Sequence, residues 1–309
     1  MLGADVCLEG FGEQQQQSYT KEQEEHMLQE AVQAAEEADI VVLAIGEDRL
    51  QSGEATSNAN IRIPEVQEAL LDRIAEVNQN IVVVLFSGRP LDIREINKKA
   101  KAILQVWLPG TEGARAIADT LFGKYNPSGK LPMSFPYCVG QVPVHYNEYS
   151  TGRPHVEGKD KDRFRSKYLD IPNEPLYPFG YGLSYTTFEV SDIHLNRTWM
   201  DTSGQIEAEV TVKNTGNCTG TETLQLYIHD IAASVVRPVR ELKDFKKVTL
   251  RPGEEKKVVF TITEQQLLFL TENGIYESEA GEFEIFIGKD SSTDNKASFC
   301  LLYTSDAAD

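Results

Sequence analysis

Two glutamates, Glu47 and Glu54, stand in the polar run Gly46-Glu47-Asp48-Arg49-Leu50-Gln51-Ser52-Gly53-Glu54-Ala55. The run follows an apolar stretch, Ile40–Ile45, and ends at Ile63, just before a helix that opens at Pro64. Gly46–Ile63 is therefore expected to be a long loop at the carboxyl end of a buried strand, the edge at which open α/β sheets bind ligands. Loops this long inside compact domains are usually functional or disordered. Carboxyl groups are proton-transfer groups by type, and Ser52-Gly53 makes the chain flexible just before the second of them. Spacing alone nevertheless reads as a solvated loop with ordinary surface glutamates.

The elements that must position this loop alternate helix and strand from Glu22 to about Phe135. A helix over Glu22–Ala38 leads into the strand Ile40–Ile45. A second helix, Glu65–Asn78, carries Val66, Leu70, Ile74 and Val77 at helical spacing. The strand Ile81–Phe86 passes through Ser87-Gly88-Arg89-Pro90 into a helix near Leu91–Lys99, with Pro90 suited to its first turn. The strand Ala102–Trp107 follows, then Thr111 as a cap for a helix running to Leu121. Three β-branched apolar runs, each followed by a helix, predict a mostly parallel sheet with helices on both faces. From Phe188 the texture changes to short alternating segments at Ile206–Val212, Leu224–Ile228, Lys247–Leu250, Lys256–Ile262 and Glu282–Ile287. Turns such as Asn214-Thr215-Gly216 and Arg251-Pro252-Gly253 separate them, which predicts an antiparallel β-sandwich.

The 309 residues suit two domains, and a hydrophobic share of 40% with 25% charged residues is that of a soluble globular protein. A net charge of −18 argues against nucleic acid or an anionic membrane as partner. The longest apolar runs are far short of a membrane span. Four cysteines, at 7, 138, 218 and 300, show neither metal-ligand spacing nor a dense disulfide pattern. The five histidines are scattered, so no metal site is expected. Phosphate-loop readings fail: Leu131 stands where Gly123–Lys130 would need a Ser or Thr, and Gly180-Tyr181-Gly182 lacks a third glycine. That disfavours a flavodoxin-like or nucleotide-binding reading. Asn196-Arg197-Thr198 and Asn217-Cys218-Thr219 are glycosylation acceptors only in a secreted eukaryotic protein.

Eight runs in order resemble the carboxyl-terminal half of a glycoside hydrolase family 3 β-glucosidase. They are GE…SGEA at 46–55, SGRP at 87–90, WLPGTEG at 107–113, GKLPMSFP at 129–136, STGRP at 150–154, LYPFGYGLSYTTF at 176–188, RPVRELKDFKKVTLRPGE at 237–254 and GEFEIFIG at 281–288. The resemblance implies an α/β sandwich domain over 1–136, an irregular connecting segment over 137–188, and a fibronectin-III-like β-sandwich over 189–299. It also implies an amino-terminal barrel, missing from this chain, that carries the nucleophilic aspartate and most sugar-binding residues.

Family members place the acid/base glutamate on the α/β-sandwich loop, in a motif that Glu54 matches. Glu47, directly after the strand, is the rival for that role and reads better as a structural hydrogen-bond partner. Arg89, Trp107 and Glu112 are expected to shape the sheet edge and a helix start. The implied function is the carboxyl-terminal part of a retaining β-glycosidase acting on terminal β-D-glucosyl residues, with no cofactor. A β-xylosidase is the alternative within the family, and a non-catalytic carbohydrate-binding or scaffolding module is the alternative outside it. The implied partners are a β-glucoside or β-linked oligosaccharide and the barrel itself, and the implied compartment is periplasmic or extracellular. Residues 300–309 look like a translated sequencing adapter and the start looks internal, so a piece of a longer protein is expected.

Overall fold

A computed structural model describes residues 19–48, 50–155, 158 and 162–303. Cys7, the glutamine-rich stretch up to Ser18, Arg49, part of the charged cluster after Val156 and the tail from Thr304 lie outside the described residues. The chain divides into two compact units. One holds the residues up to Ala118 together with Pro136–Val142; the other holds Asp119–Phe135 and the chain from Pro143.

In the first unit, α1 (Lys21–Glu36) precedes β1 (Val41–Gly46), α2 (Glu65–Val77), β2 (Ile81–Phe86), α3 (Arg94–Lys99) and β3 (Ala102–Trp107), and α4 (Gly113–Leu121) begins there and runs three residues past its limit at Ala118. The strands pair in parallel in the order β1-β2-β3, with Gly46 opposite Phe86 and Phe86 opposite Trp107. Thr20 starts α1 with a reciprocal capping box to Gln23. Strand β2, central in the sheet, buries Ile81, Val83, Val84 and Leu85 almost completely, as a run with no polar alternation requires. Leu70, Leu71 and Ile74 form the buried face of α2. Buried Asn78 donates to the carbonyls of Ala35 and Ala38 at 2.8 and 2.7 Å, closing the end of α1 against the end of α2.

Two local expectations need correction. Helix α3 opens at Arg94, so Pro90 lies outside its first turn. Leu91 and Ile93 are fully buried, and the Asp92 amide donates to Ile61 O at 2.9 Å, which holds 91–93 out of the helix. Helix α4 opens at Gly113 rather than directly after Thr111.

In the second unit, the long strands are β7 (Gln205–Asn214), β8 (Gly220–Asp230), β9 (Glu241–Leu250), β10 (Glu255–Thr263) and β13 (Gly281–Gly288). Each contains one of the five segments read from alternation. Shorter ones are β4 (Phe188–Val190), β5 (His194–Leu195), β6 (Trp199–Met200), β11 (Phe269–Leu270), β12 (Tyr276–Glu277) and β14 (Lys296–Leu301), with a helical turn α5 (Glu264–Leu267). One sheet has the order β10-β7-β4 with β5 also on β7; the other runs β6-β14-β13-β8-β9. All pairings are antiparallel except β6 with β14. Ile206, Ala208, Val210 and Val212 of β7 alternate inward, and Phe260, Phe283, Ile285 and Phe299 join them in one apolar core.

Strand β14 continues through Cys300 to Leu301, opposite Trp199 and Met200, and Leu301 is fully buried. The sandwich thus takes in two residues of the expected foreign tail. Nor is the stretch before Phe188 a bare connection. Leu131 and Gly180 exchange backbone bonds with Tyr181 and Leu131 at 2.8 Å, and Phe135 pairs with Tyr177. Tyr146 stacks on Phe179 with ring centroids 4.2 Å apart and meets Tyr227 of β8 edge-on. Gln225 of β8 donates to Gly180 O at 3.1 Å. These aromatic contacts dock the stretch on the sandwich sheet.

Candidate functional site

The site is built from the end of β1 outward. Gly46 has φ +139°, and a Cβ added there would sit 1.8 Å from the carbonyl oxygen of Phe86, so glycine alone allows β1 to finish this close to β2. Its amide donates to Gln67 Oε1 of α2 at 2.8 Å, and the Glu47 amide donates to Phe86 O at 2.8 Å. Glu47 is thereby turned inward. Its side chain is only 3% exposed, with Oε1 3.0 Å from Arg89 Nε and Oε2 accepting from the Gly88 amide at 3.3 Å.

The loop then folds back on itself. Asp48 Oδ1 accepts the amides of Leu50 and Gln51 at 2.7 and 3.0 Å, while Gln51 Oε1 accepts the Asp48 amide at 3.1 Å. Asn58 donates to Gln51 O at 2.9 Å. Ser52 lies so close to Gly88 that a Cβ there would meet its hydroxyl at 1.9 Å. At the tip, Gly53 (φ +139°) and Ala55 (φ +60°) flank Glu54, and Thr56 Oγ1 closes the turn on Gly53 O at 2.6 Å. Glu54 is exposed at this corner, and among the described residues no hydrogen bond or ion pair reaches its carboxylate.

The two carboxylates named by the sequence thus share one loop in opposite states. Glu47 is buried and paired; Glu54 projects into solvent. Arg89, expected to shape the sheet edge, does so with more reach than its position suggests. Its guanidinium also donates to Gln51 O at 2.6 Å and Thr56 O at 3.0 Å. Gln51 and Thr56 were not singled out by sequence, since a backbone acceptor leaves no side-chain signal. Ser87, also at this sheet edge, is fully buried and accepts from Gln105 Nε2 of β3 at 3.0 Å.

Several other charged groups in this unit pair with one another. A cavity of about 260 Å³ beside α2 and α3 is lined by Arg62, Asp92, Arg94 and Lys99, among others. Arg62 pairs with Glu68, Arg94 with Asp92 and Lys99 with Asp72. The hydrogen bonds that Arg94 donates to Asp92 raise the Arg94 pKa above its usual value, against the opposing effect of burial. Among the described residues no group of three His, Cys, Asp or Glu side chains is placed to hold a metal ion, and no helix is long and apolar enough to cross a membrane.

Comparison with known proteins places this loop in a family context. The Glycosyl hydrolase family 3 C-terminal domain matches residues 5–185, and the Fibronectin type III-like domain matches residues 222–291. The chain is 49% identical over 276 residues to the periplasmic beta-glucosidase of Salmonella typhimurium, covering 89% of this chain and 36% of that protein. It is 40% identical over 266 residues to a beta-xylosidase of Formosa agariphila, covering 86% of this chain and 36% of that protein. The crystal structure of a beta-glucosidase from Listeria innocua in complex with glucose matches with a TM-score of 0.85 at 41% identity, covering 92% of this chain and 39% of that one. The chain therefore spans little more than a third of the length of these relatives.

Proposed function

The chain belongs to glycoside hydrolase family 3, and from that premise we propose that it is the carboxyl-terminal part of a retaining β-glucosidase in which Glu54 is the general acid/base. The observation that carries the reading is the division of labour on the loop after β1: Glu47 is consumed by Arg89 and Gly88, whereas Glu54 stands exposed at the tip. A proton donor must meet the leaving oxygen of a bound sugar, and a buried, ion-paired carboxylate cannot do so.

Retaining hydrolysis needs a nucleophilic carboxylate on one face of the sugar and a proton donor about 5–5.5 Å from it. The donor must be protonated when the bond breaks, so burial or the neighbouring nucleophile has to raise its pKa on assembly of the site. In this proposal the nucleophile comes from an amino-terminal barrel of the longer protein, and Glu54 reaches over that barrel's pocket. Glu54 first protonates the departing oxygen; it then takes the proton from the water that attacks the glycosyl-enzyme. The chain by itself holds one carboxylate of the pair and is expected not to hydrolyse aryl β-glucosides. The higher identity to a beta-glucosidase than to a beta-xylosidase favours glucose as the sugar, and the Salmonella relative favours the periplasm as the compartment.

The test uses the full-length enzyme. Glu54→Ala should lower the rate on poor leaving groups by roughly 10²–10⁴. Glycosylation by an activated dinitrophenyl glucoside should change far less, because that phenolate leaves unprotonated. Azide needs no general base, so it should restore turnover and yield the β-glycosyl azide. Equal losses on all leaving groups, with no azide product, would reject Glu54 and return Glu47 or a barrel residue to candidacy.

A further inference from the structure

We infer that Arg89 is the positioning residue for Glu54, a role that rests on Glu54 being the general acid/base. Three partners converge on one guanidinium: Glu47 Oε1 at 3.0 Å, Gln51 O at 2.6 Å and Thr56 O at 3.0 Å. The two carbonyls lie on either side of Glu54 in the chain, so both flanks of the loop tip are tied to the same side chain. The guanidinium is itself oriented from below by Glu47, whose other oxygen is occupied by the Gly88 amide. Ser52 rests against Gly88, and the span left between the two ties is Ser52–Ala55, with positive φ at Gly53 and Ala55 turning Glu54 outward.

Only arginine fits this task. Its planar fork presents several N–H donors in a fixed geometry, so a single side chain can serve a carboxylate and two carbonyls at once. Lysine would keep the charge opposite Glu47 but, as a compact point charge on a flexible stem, could not hold both flanks. Glu47 thereby acquires an indirect part in the chemistry. Its burial holds the guanidinium in place, and the guanidinium sets where the tip carboxylate stands. Proton transfer is sensitive to such placement, since a misplacement of about 1 Å costs on the order of 10² in rate.

The experiment compares Arg89→Lys and Arg89→Met in the full-length enzyme by two independent readouts. The first is hydrogen exchange of the peptide spanning residues 50–60, which reports the brace whatever Glu54 does. Exchange should quicken in both variants while the peptide covering β2 stays protected. The second is kcat and KM across leaving groups. Loss of kcat on the order of 10² is expected for poor leaving groups, with the dinitrophenyl glucoside and KM changed only a few-fold. Unaltered exchange at 50–60 would overturn the brace. Faster exchange with equal kcat loss on every substrate would overturn the positioning role.

The Glu54→Ala variant separates the two failures. If azide rescues it while the Arg89 variants show no leaving-group selectivity, the inference about Arg89 fails and the reading of Glu54 stands. If azide does not rescue it, the reading of Glu54 fails first. Arg89→Lys keeps a cation beside buried Glu47, so the test survives even if Arg89→Met does not fold.

Discussion

Gly46→Ala should destabilise the α/β unit through the close approach of β1 to β2. The added Cβ would stand 1.8 Å from Phe86 O, and that carbonyl would have to retreat by roughly 1.2 Å to reach 3.0 Å. Such a retreat breaks the 2.8 Å bond from the Glu47 amide to Phe86 O and disturbs the 2.8 Å bond from Gly46 to Gln67. Two hydrogen bonds at about 1 kcal/mol each, with roughly 1–3 kcal/mol for a side chain at φ +139°, are offset by about 0.4–1 kcal/mol from a stiffer unfolded chain. The net loss is roughly 3 kcal/mol, or a fall of about 1.5 M in urea midpoint at a slope near 2 kcal/mol per M.

Trp107 lies in the α/β unit and Trp199 in the sandwich unit, so Trp107 fluorescence in a Trp199→Phe background follows the first unit alone. Gly53→Ala is the control, because Gly53 has the same φ of +139° but nothing within 4 Å of the added carbon. It should cost the backbone strain and no more. Equal midpoint shifts for Gly46→Ala and Gly53→Ala would refute the argument, since the difference between them isolates the contact with Phe86.

Burial raises the pKa of Asp230 above its ordinary 3.8, with Arg237 opposing; its Oδ2 lies 3.9 Å from Arg237 Nε and has no hydrogen bond. A carboxyl whose folded pKa is raised contributes most below its unfolded pKa and loses that contribution as pH rises through the folded value. Asp230→Asn should therefore stabilise the sandwich at pH 7, and the advantage should vanish below pH 3.8; denaturation followed at Trp199 across pH checks it, and a constant difference would refute it. Asn214 is fully buried, donating to Cys218 O and Leu250 O at 2.9 Å and accepting from Thr186 at 2.6 Å and the Gly216 amide at 3.1 Å. Asn214→Ala leaves these groups without their partner and should cost roughly 3–4 kcal/mol in the same Trp199 assay, whereas a loss below about 1 kcal/mol would mean that water replaces the amide.

Much of the architecture was legible along the chain because it depends on local pattern. The runs Ile40–Ile45, Ile81–Phe86 and Ala102–Trp107 are rich in β-branched and other apolar residues, with Gln105 the one polar exception, and each became a strand of the parallel sheet within a residue of its expected bounds. Alternation located all five long strands of the sandwich. It could not find β4, β5, β6, β11 and β12, which are two or three residues long and exist because a neighbouring strand offers them hydrogen-bonding partners. Nor could it tell that Cys300 and Leu301 complete β14, since what holds them is pairing on both sides, with Glu282 and Gly281 of β13 and with Trp199 and Met200, about a hundred residues earlier in the chain.

The loop after β1 shows the same boundary at the scale of single side chains. Its length, its place at the carboxyl end of a buried strand and the presence of Glu47 and Glu54 are sequence properties. That Glu47 would serve as a structural hydrogen-bond partner was also expected from its place directly after the strand; the identity of its partner was not. The partner is Arg89, which reaches the loop only because β1 and β2 pair in parallel with Gly46 opposite Phe86. Parallel pairing sets the exits of both strands at one edge, so Gly88 and Arg89 fall beside Glu47 although a helix separates them in the chain. The ion pair of Glu47 with Arg89, and with it the burial of that carboxylate, was decided by tertiary register.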